Sequence, residues 1–160
     1  MSATPEVRTF DWSGLSTAQL GRYGEYVVKM ELARAGLDVY VPEVDNKGID
    51  LVVRLGPGRY AELQVKSVRA FSYVFMRKST FPLDEARYLV LARFSNGQWP
   101  DVFLIPAITW LQPGDLFVSR DYEGLKSAPE WGLRLSAKAM PLLEPYRLST
   151  QLGRLVSGVS

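Results

Sequence analysis

Glu25, Asp50, Gln64 and Lys66 have types and an order along the chain suited to chemistry on a phosphate ester. Asp50 offers carboxylate oxygens, Gln64 an amide oxygen and the Val65 peptide a carbonyl. These are hard donors of the kind that hold Mg2+ or Mn2+ while leaving coordination positions to water. Lys66 adds an ammonium group that can orient a water or neutralise charge on a five-coordinate phosphate. Glu25 is a third acid, with Glu31 and Glu62 as rivals for that place. The same residues admit a plainer account. An acid near a lysine on a hairpin is commonly an exposed ion pair worth about 0–1 kcal/mol. Glu25 has Arg22 and Lys29 at i−3 and i+4 as ordinary helix partners.

Bringing Asp50 to Gln64 and Lys66 requires a hairpin, and the apolar pattern selects its register. Closing the chain at Gly56-Pro57-Gly58 pairs Leu51 with Leu63, Ile49 with Val65 and Val53 with Ala61, which makes one apolar face. Because side chains alternate along a strand, the same register sets Asp50 opposite Gln64 and next to Lys66 on the other face. A slip of one residue would place Asp50 against Val65 and destroy the apolar pairing. Glu25 must come from a helix predicted over about 17–35, capped by Ser16 or Thr17 and stopped by Gly36. Gly21 and Gly24, just before Glu25, are expected to let that helix approach the strands closely.

The rest of the chemistry is narrowed by absence. The 160 residues contain no Cys and no His, which removes thiolate and imidazole metal sites, cysteine nucleophiles and Ser–His–Asp catalysis. Catalysis is left to carboxylates, Lys, Tyr, Ser or Thr, and an oxygen-held cation. Hydrophobic residues at 47% and charged residues at 22% are ordinary for a globular domain. The opening 1–10 has no apolar core of a secretory leader, and the longest apolar run, 102–111, is broken by Pro106 and too short for a bilayer. A cytoplasmic protein without a membrane partner is expected.

A net charge of +2 neither demands nor forbids nucleic acid. Its distribution is more informative: Lys66, Arg69, Arg77 and Lys78 fall in a stretch without acids, interleaved with Phe71, Tyr73 and Phe75. Such a stretch can neutralise phosphates and stack unpaired bases. Its alternative is a strand whose aromatics enter the core while the polar residues face water. Further strands are predicted at 38–41, 49–54, 60–68, 87–94 and 101–105, a helical turn at 107–111, and a loop-rich segment at 112–132 with a strand at 116–119. A last helix starts at Ala137, capped by Ser136 and interrupted by Pro141 and Pro145. Helix, strands, then helix argue for an α+β or mixed α/β fold around a mostly antiparallel sheet. The expected division is an arm at 1–16, pinned by Phe10 and Trp12, one domain at 17–147 and a tail at 148–160.

The ordered set Gly21-x-x-Gly24-Glu25 on a helix, Gly48-Ile49-Asp50 on a strand and Gln64-Val65-Lys66-Ser67 on the next resembles the PD-(D/E)XK nuclease superfamily. The likeness is greatest to its branches with Gln in place of the second acid, the Mrr-like restriction nucleases and intron-encoded homing endonuclease-like proteins, with Holliday-junction resolvases more distant. It spans about residues 17–111 and includes Gly36-Leu37-Asp38-Val39-Tyr40-Val41-Pro42. The resemblance implies a restriction-endonuclease-like central mixed sheet flanked by helices and Mg2+- or Mn2+-dependent hydrolysis of DNA phosphodiesters. Glu25, Asp50, Gln64 and Lys66 would then be catalytic. Asp50, Gln64 and the Val65 carbonyl would hold the metal, with Glu25 in contact through water. Arg69, Arg77 and Lys78 would grip the DNA backbone, and a homodimer would serve two cuts in a duplex. A module that keeps the fold but binds nucleic acid or a protein partner without turnover is the alternative, since an amide binds a divalent cation more weakly than a carboxylate.

Overall fold

The computed structural model describes residues 10–44 and 47–158. In chain order its elements are α1 (Thr17–Arg34), β1 (Asp38–Tyr40), β2 (Leu51–Gly56), β3 (Arg59–Arg69), β4 (Val74–Arg77), β5 (Arg87–Phe94), β6 (Asp101–Pro106), β7 (Phe117–Arg120), β8 (Glu130–Leu133), α2 (Met140–Leu143) and α3 (Leu148–Ser157). Short 3₁₀ turns follow β4 at Lys78–Thr80, β6 at Ala107–Leu111 and α2 at Glu144–Tyr146. No helix among the described residues is long and apolar enough to cross a membrane.

Helix α1 starts at a reciprocal cap. Ser16 Oγ accepts from Gln19 N–H at 3.1 Å, and the Gln19 side chain accepts from Ser16 N–H at 2.8 Å, an arrangement worth about 0.5–2 kcal/mol. Its buried stripe of Leu20, Gly24, Val27, Val28 and Leu32 lies on a five-stranded sheet ordered β1-β2-β3-β5-β6. The central β3–β5 pair is parallel and the other pairs are antiparallel, so the sheet is mixed. On the α1 face, Val28 and Leu32 meet Leu51, Val53 and Leu63, with Leu148 and Leu155 of α3 closing the cluster. On the opposite face, Val68, Leu89 and Phe103 pack under Phe81 and Trp110 and against Val74, Met76 and Leu133 of a small second sheet, β4-β8-β7. The main sheet is therefore covered on both sides, which explains why β5 is apolar at nearly every position.

Several elements depart from expectation for local reasons. The ladder of β2 begins at Leu51, not Ile49, because Gly48 takes φ +67° and sits against Thr80, turning the chain out of strand geometry. In β4 it is Val74 and Met76 that enter the core and Phe75 that faces out, the reverse of the alternation that buries the aromatics. The segment read as loop-rich contains β8 as well as β7. Ser136 Oγ does accept from Ala139 N–H at 3.1 Å, but the helix after it is only Met140–Leu143, since Pro145 cannot donate to its continuation. From Leu148, expected as a tail, the chain re-forms as α3 and buries Leu148 and Leu155 in the core. Residues 1–9 of the expected arm lie outside the described residues. Trp12 is buried and its indole N–H donates to the Ser95 and Gln98 carbonyls, fixing the chain to the β5–β6 hairpin.

Candidate active site

The register that pairs Leu51 with Leu63 and Val53 with Ala61 is the one the apolar pattern selects. Asp50 stands one residue ahead of this ladder. Its N–H donates to the Leu63 carbonyl at 2.8 Å, and its carboxylate Oδ2 accepts from Val65 N–H at 2.7 Å. The side chain thus takes the place that the next backbone carbonyl of β2 would occupy. In place of an Ile49–Val65 pair, the Asp50 carboxylate lies against the edge of β3. Beyond this point β2 no longer flanks β3, and the Val65 carbonyl leaves the strand on the same edge as the Val65 N–H.

Alternation places Gln64 and Lys66 on the face of β3 away from α1, beside Val68. Gln64 is buried at 9% exposure, and its Oε1 has no hydrogen-bond partner among the described residues. A buried acceptor left unpaired costs about 1–3 kcal/mol, so this oxygen calls for a partner, a water or a cation. Lys66 is half-buried, with Nζ 5.9 Å from the centre of the Phe75 ring.

Glu25 comes from the other face. Its neighbour Gly24 touches β3 so closely that a Cβ there would land on the Ser67 hydroxyl and 3.1 Å from Ser67 Cβ. Gly21, by contrast, has open space where a Cβ would be, so only Gly24 lets the helix approach. Counting about 100° per residue, Glu25 lies on the helix flank opposite Tyr23. The Tyr23 ring packs on Trp12, Phe94 and Trp99 at the β5–β6 end. The Glu25 flank therefore faces the β2 side of the sheet. Its carboxylate pairs with Arg22 at 2.9 Å and makes no hydrogen bond or ion pair with Gln64 or Lys66. Asp50 is bonded to the edge of β3 at Val65, between Gln64 and Lys66, whose side chains share one face of the strand; Glu25 comes from the helix on the other face. No group of three or more Asp, Glu, His or Cys gathers among the described residues; the oxygen donors at β3 are one carboxylate, one amide and one peptide carbonyl. A cavity of about 910 Å³ lies elsewhere, between α3 and the β2–β3 turn, and none of these residues lines it.

The structure adds a residue that sequence reasoning missed. Arg87, 4% exposed at the start of β5, donates through NH1 to the Gly48 carbonyl at 3.0 Å and through NH2 to the Lys47 carbonyl at 3.3 Å. The same guanidinium pairs with Glu62 at 3.6 Å. It thereby fixes the segment that delivers Asp50, and it occupies Glu62, the rival acid. An arginine standing directly ahead of the apolar run 88–92 was the available signal.

The basic residues expected on DNA have different fates. Arg69 donates to the Trp12 carbonyl at 3.0 Å and to the Leu15 carbonyl, which engages it in holding the chain ahead of α1. Lys78 bonds Ser119 and Asp121, each at 2.7 Å, and lies 3.9 Å over the Trp131 ring. Arg77 is exposed on the outer face of β4.

The chain matches a bacterial homing endonuclease, I-Ssp6803I, with a TM-score of 0.55 and 21% identity, over 91% of this chain and 99% of that one. It also matches Hjc of Archaeoglobus fulgidus, a Holliday junction resolvase, with a TM-score of 0.45 and 15% identity, over 73% of this chain and 91% of that one. No family model and no curated protein sequence matches. The chain shares the fold of that homing endonuclease, a mixed sheet with flanking helices.

Proposed function

We propose that this chain is a divalent-metal-dependent endonuclease that hydrolyses phosphodiester bonds in DNA. One observation carries the reading. The Asp50 carboxylate is fixed on Val65 N–H at 2.7 Å, and Val65 lies between Lys66 and Gln64, whose buried side-chain oxygen has no partner among the described residues. A fold hosts many activities, so the fold of a homing endonuclease is support by analogy, and the weight rests on these residues.

The donor set fits a hard cation. Asp50, Gln64 Oε1 and the Val65 carbonyl would hold Mg2+ or Mn2+, with Glu25 reaching the same edge from the α1 side through water. When bound, such a cation supplies positive charge against the negative charge that develops on the phosphoryl oxygens. Lys66 donates hydrogen bonds to a non-bridging oxygen and to the attacking water, placing it in line with the bond that breaks. Water adds to phosphorus and gives up one proton to solvent, the bond to the leaving oxygen breaks, and that oxygen takes up a proton from solvent. Exposed Arg77 contacts the phosphate backbone, which positions DNA without reading its sequence. Cutting both strands of a duplex calls for two such sites, hence a symmetric pair of copies.

The neutral amide at Gln64 and the pairing of Glu25 with Arg22 favour a second reading, a module that binds DNA without turnover. One experiment separates the two. The full chain, with Asp50→Ala and Lys66→Ala beside it, is incubated with supercoiled, linear and branched DNA in Mg2+, Mn2+ or EDTA. The nuclease reading expects cleavage that EDTA stops and that each substitution lowers by about a hundredfold or more. DNA retained without cleavage in either metal establishes the module, and undiminished cleavage by Asp50→Ala removes the site.

A further inference from the structure

Tyr73, just ahead of β4, and Phe75 within it form an ordered row with the cations beside them. Phe75 is 48% exposed on the outer face of β4, and its ring lies 6.4 Å from that of Tyr73 with only 18° between the planes. Lys66 Nζ stands 5.9 Å from the Phe75 ring, and the Arg120 guanidinium 4.5 Å from the Tyr73 ring. Cation, aromatic, aromatic and cation therefore follow one another across the second sheet and end at the candidate active site.

Tyr73 is locked in this row. Its ring occupies the space above Gly132 of β8, where a Cβ would fall within 2.7 Å of a ring carbon. Its hydroxyl donates to Glu130 Oε2 at 3.3 Å, and Glu130, 7% exposed, also accepts from the Tyr122 hydroxyl. Phe75 makes no such bond; it is supported from one side by Tyr73, while its neighbours Val74 and Met76 anchor the strand in the core. The row borders an open cleft of about 460 Å³ lined by Lys66, Ser67, Tyr73 and Phe75, with Thr17 and Leu20 of α1 across it.

We infer that Phe75 is a stacking platform for an unpaired DNA base, so that the DNA engaged at Lys66 is single-stranded or locally unpaired next to the contacted phosphate. A base inside a duplex has both faces covered by its neighbours, and only an unpaired one can lay a face on an aromatic ring. Charge fits the same occupant: between Lys66 and Lys78 the chain carries no acid, and Arg77 leaves β4 on the same face as Phe75. A preorganised ring beside a cation favours stacking, because little side-chain freedom remains to be lost. The inference rests on the reading of Lys66 as the phosphate-side residue of the proposed site.

The test is made in EDTA, where no cleavage intervenes, using fluorescence anisotropy with a labelled oligo(dT) of about 15 nucleotides and a mixed-sequence duplex of equal length. Phe75→Ala and Phe75→Leu are expected to weaken oligo(dT) binding by about 5- to 100-fold and to leave duplex binding unchanged. Phe75→Trp is expected to retain it, with its added indole emission quenched on binding. The leucine variant keeps apolar bulk without a π face, so wild-type binding by Phe75→Leu overturns stacking even if the alanine variant folds poorly. Equal binding of oligo(dT) by all three variants and the wild type, or a loss shared equally by the duplex, also overturns it. Undiminished cleavage by Asp50→Ala in the separate Mg2+ assay would sink the nuclease reading alone, since this binding measurement needs no turnover.

Discussion

Arg87 holds the carbonyl of Gly48 at 3.0 Å, two residues ahead of Asp50, from the first position of the strand parallel to β3. The contact ties the approach to the acid to the strand bearing Gln64 and Lys66, because Arg87 is also the register partner of Glu62 on β3. Gly48 makes the grip feasible: at φ +67° and pressed against Thr80, it turns its carbonyl toward the guanidinium in a conformation that side-chain-bearing residues rarely adopt.

Arg87 is accordingly a positioning residue, and its planar fork matters more than its charge. Arg87→Lys is expected to lower cleavage by about 10–100-fold and to raise the Mg2+ concentration needed for half-maximal rate. Circular dichroism and a melting curve read the fold in parallel. Cleavage by Arg87→Lys at the wild-type rate and Mg2+ dependence would show that the fork does not place Asp50.

Gln64 allows a test that needs no turnover. Gln64→Glu puts a carboxylate where the buried amide oxygen lacks a partner. Without metal this is expected to destabilise the fold by about 1–3 kcal/mol, since an unpaired charge is buried. Mg2+ at about 100 times its dissociation constant should return about 2.7 kcal/mol. Urea unfolding of both proteins in EDTA and in Mg2+ measures it; a gap between them that ignores Mg2+ would remove Gln64 from the donor set.

These relationships were unequally legible in the chain. The alternation Leu51, Val53 against Ala61, Leu63 specified the hairpin register, because one misplaced step would expose every apolar residue at once. The cap at Ser16 and the stop at Gly36 were written in local residue chemistry, so α1 was legible too. What the sequence could not reveal depends on contacts distant along the chain. The parallel β3–β5 pairing arises only when β4 and the following turn carry the chain across the sheet. The outward Phe75 follows from Val74 and Met76 taking the inward positions of β4, in the core cluster that includes Trp110. Arg69 and Lys78, expected on DNA, are bonded to the Trp12 carbonyl and to Asp121, partners that no local pattern discloses.

The two glycines before Glu25 are expected to behave oppositely. Gly24→Ala forces a methyl onto Ser67 and to 3.4 Å from Ala92 Cβ, and overpacking of this kind costs about 1–3 kcal/mol. Gly21→Ala meets nothing within 4 Å and should stabilise the helix by about 0.5–1 kcal/mol. Urea midpoints of the two variants and of Gly24→Ala/Ser67→Ala decide it, with the double variant recovering part of the loss. Equal effects at both positions would mean that α1 does not rest on β3 through Gly24.

Tyr73 gives the fold an alkaline limit whose direction follows from its surroundings. Burial, and then the nearby Glu130 carboxylate, push its phenol from 10.0 up to about 12. A group whose pKa is raised by folding is held protonated by the fold. Its contribution is whole below pH 10 and is lost as pH climbs through about 12, where the phenolate would face Glu130. Tyr73→Phe removes both the hydrogen bond and the titration. At pH 8–9 it should be less stable than the wild type by about 0.5–1.5 kcal/mol, and the difference should shrink steadily across the window from 10 to 12. Tyr88, also raised by burial, leaves a slope common to both proteins, so the difference between them is the quantity to follow. Urea midpoints at half-unit pH steps supply it, and a difference that stays constant through that window would mean the Tyr73 hydroxyl is not held as a neutral donor to Glu130.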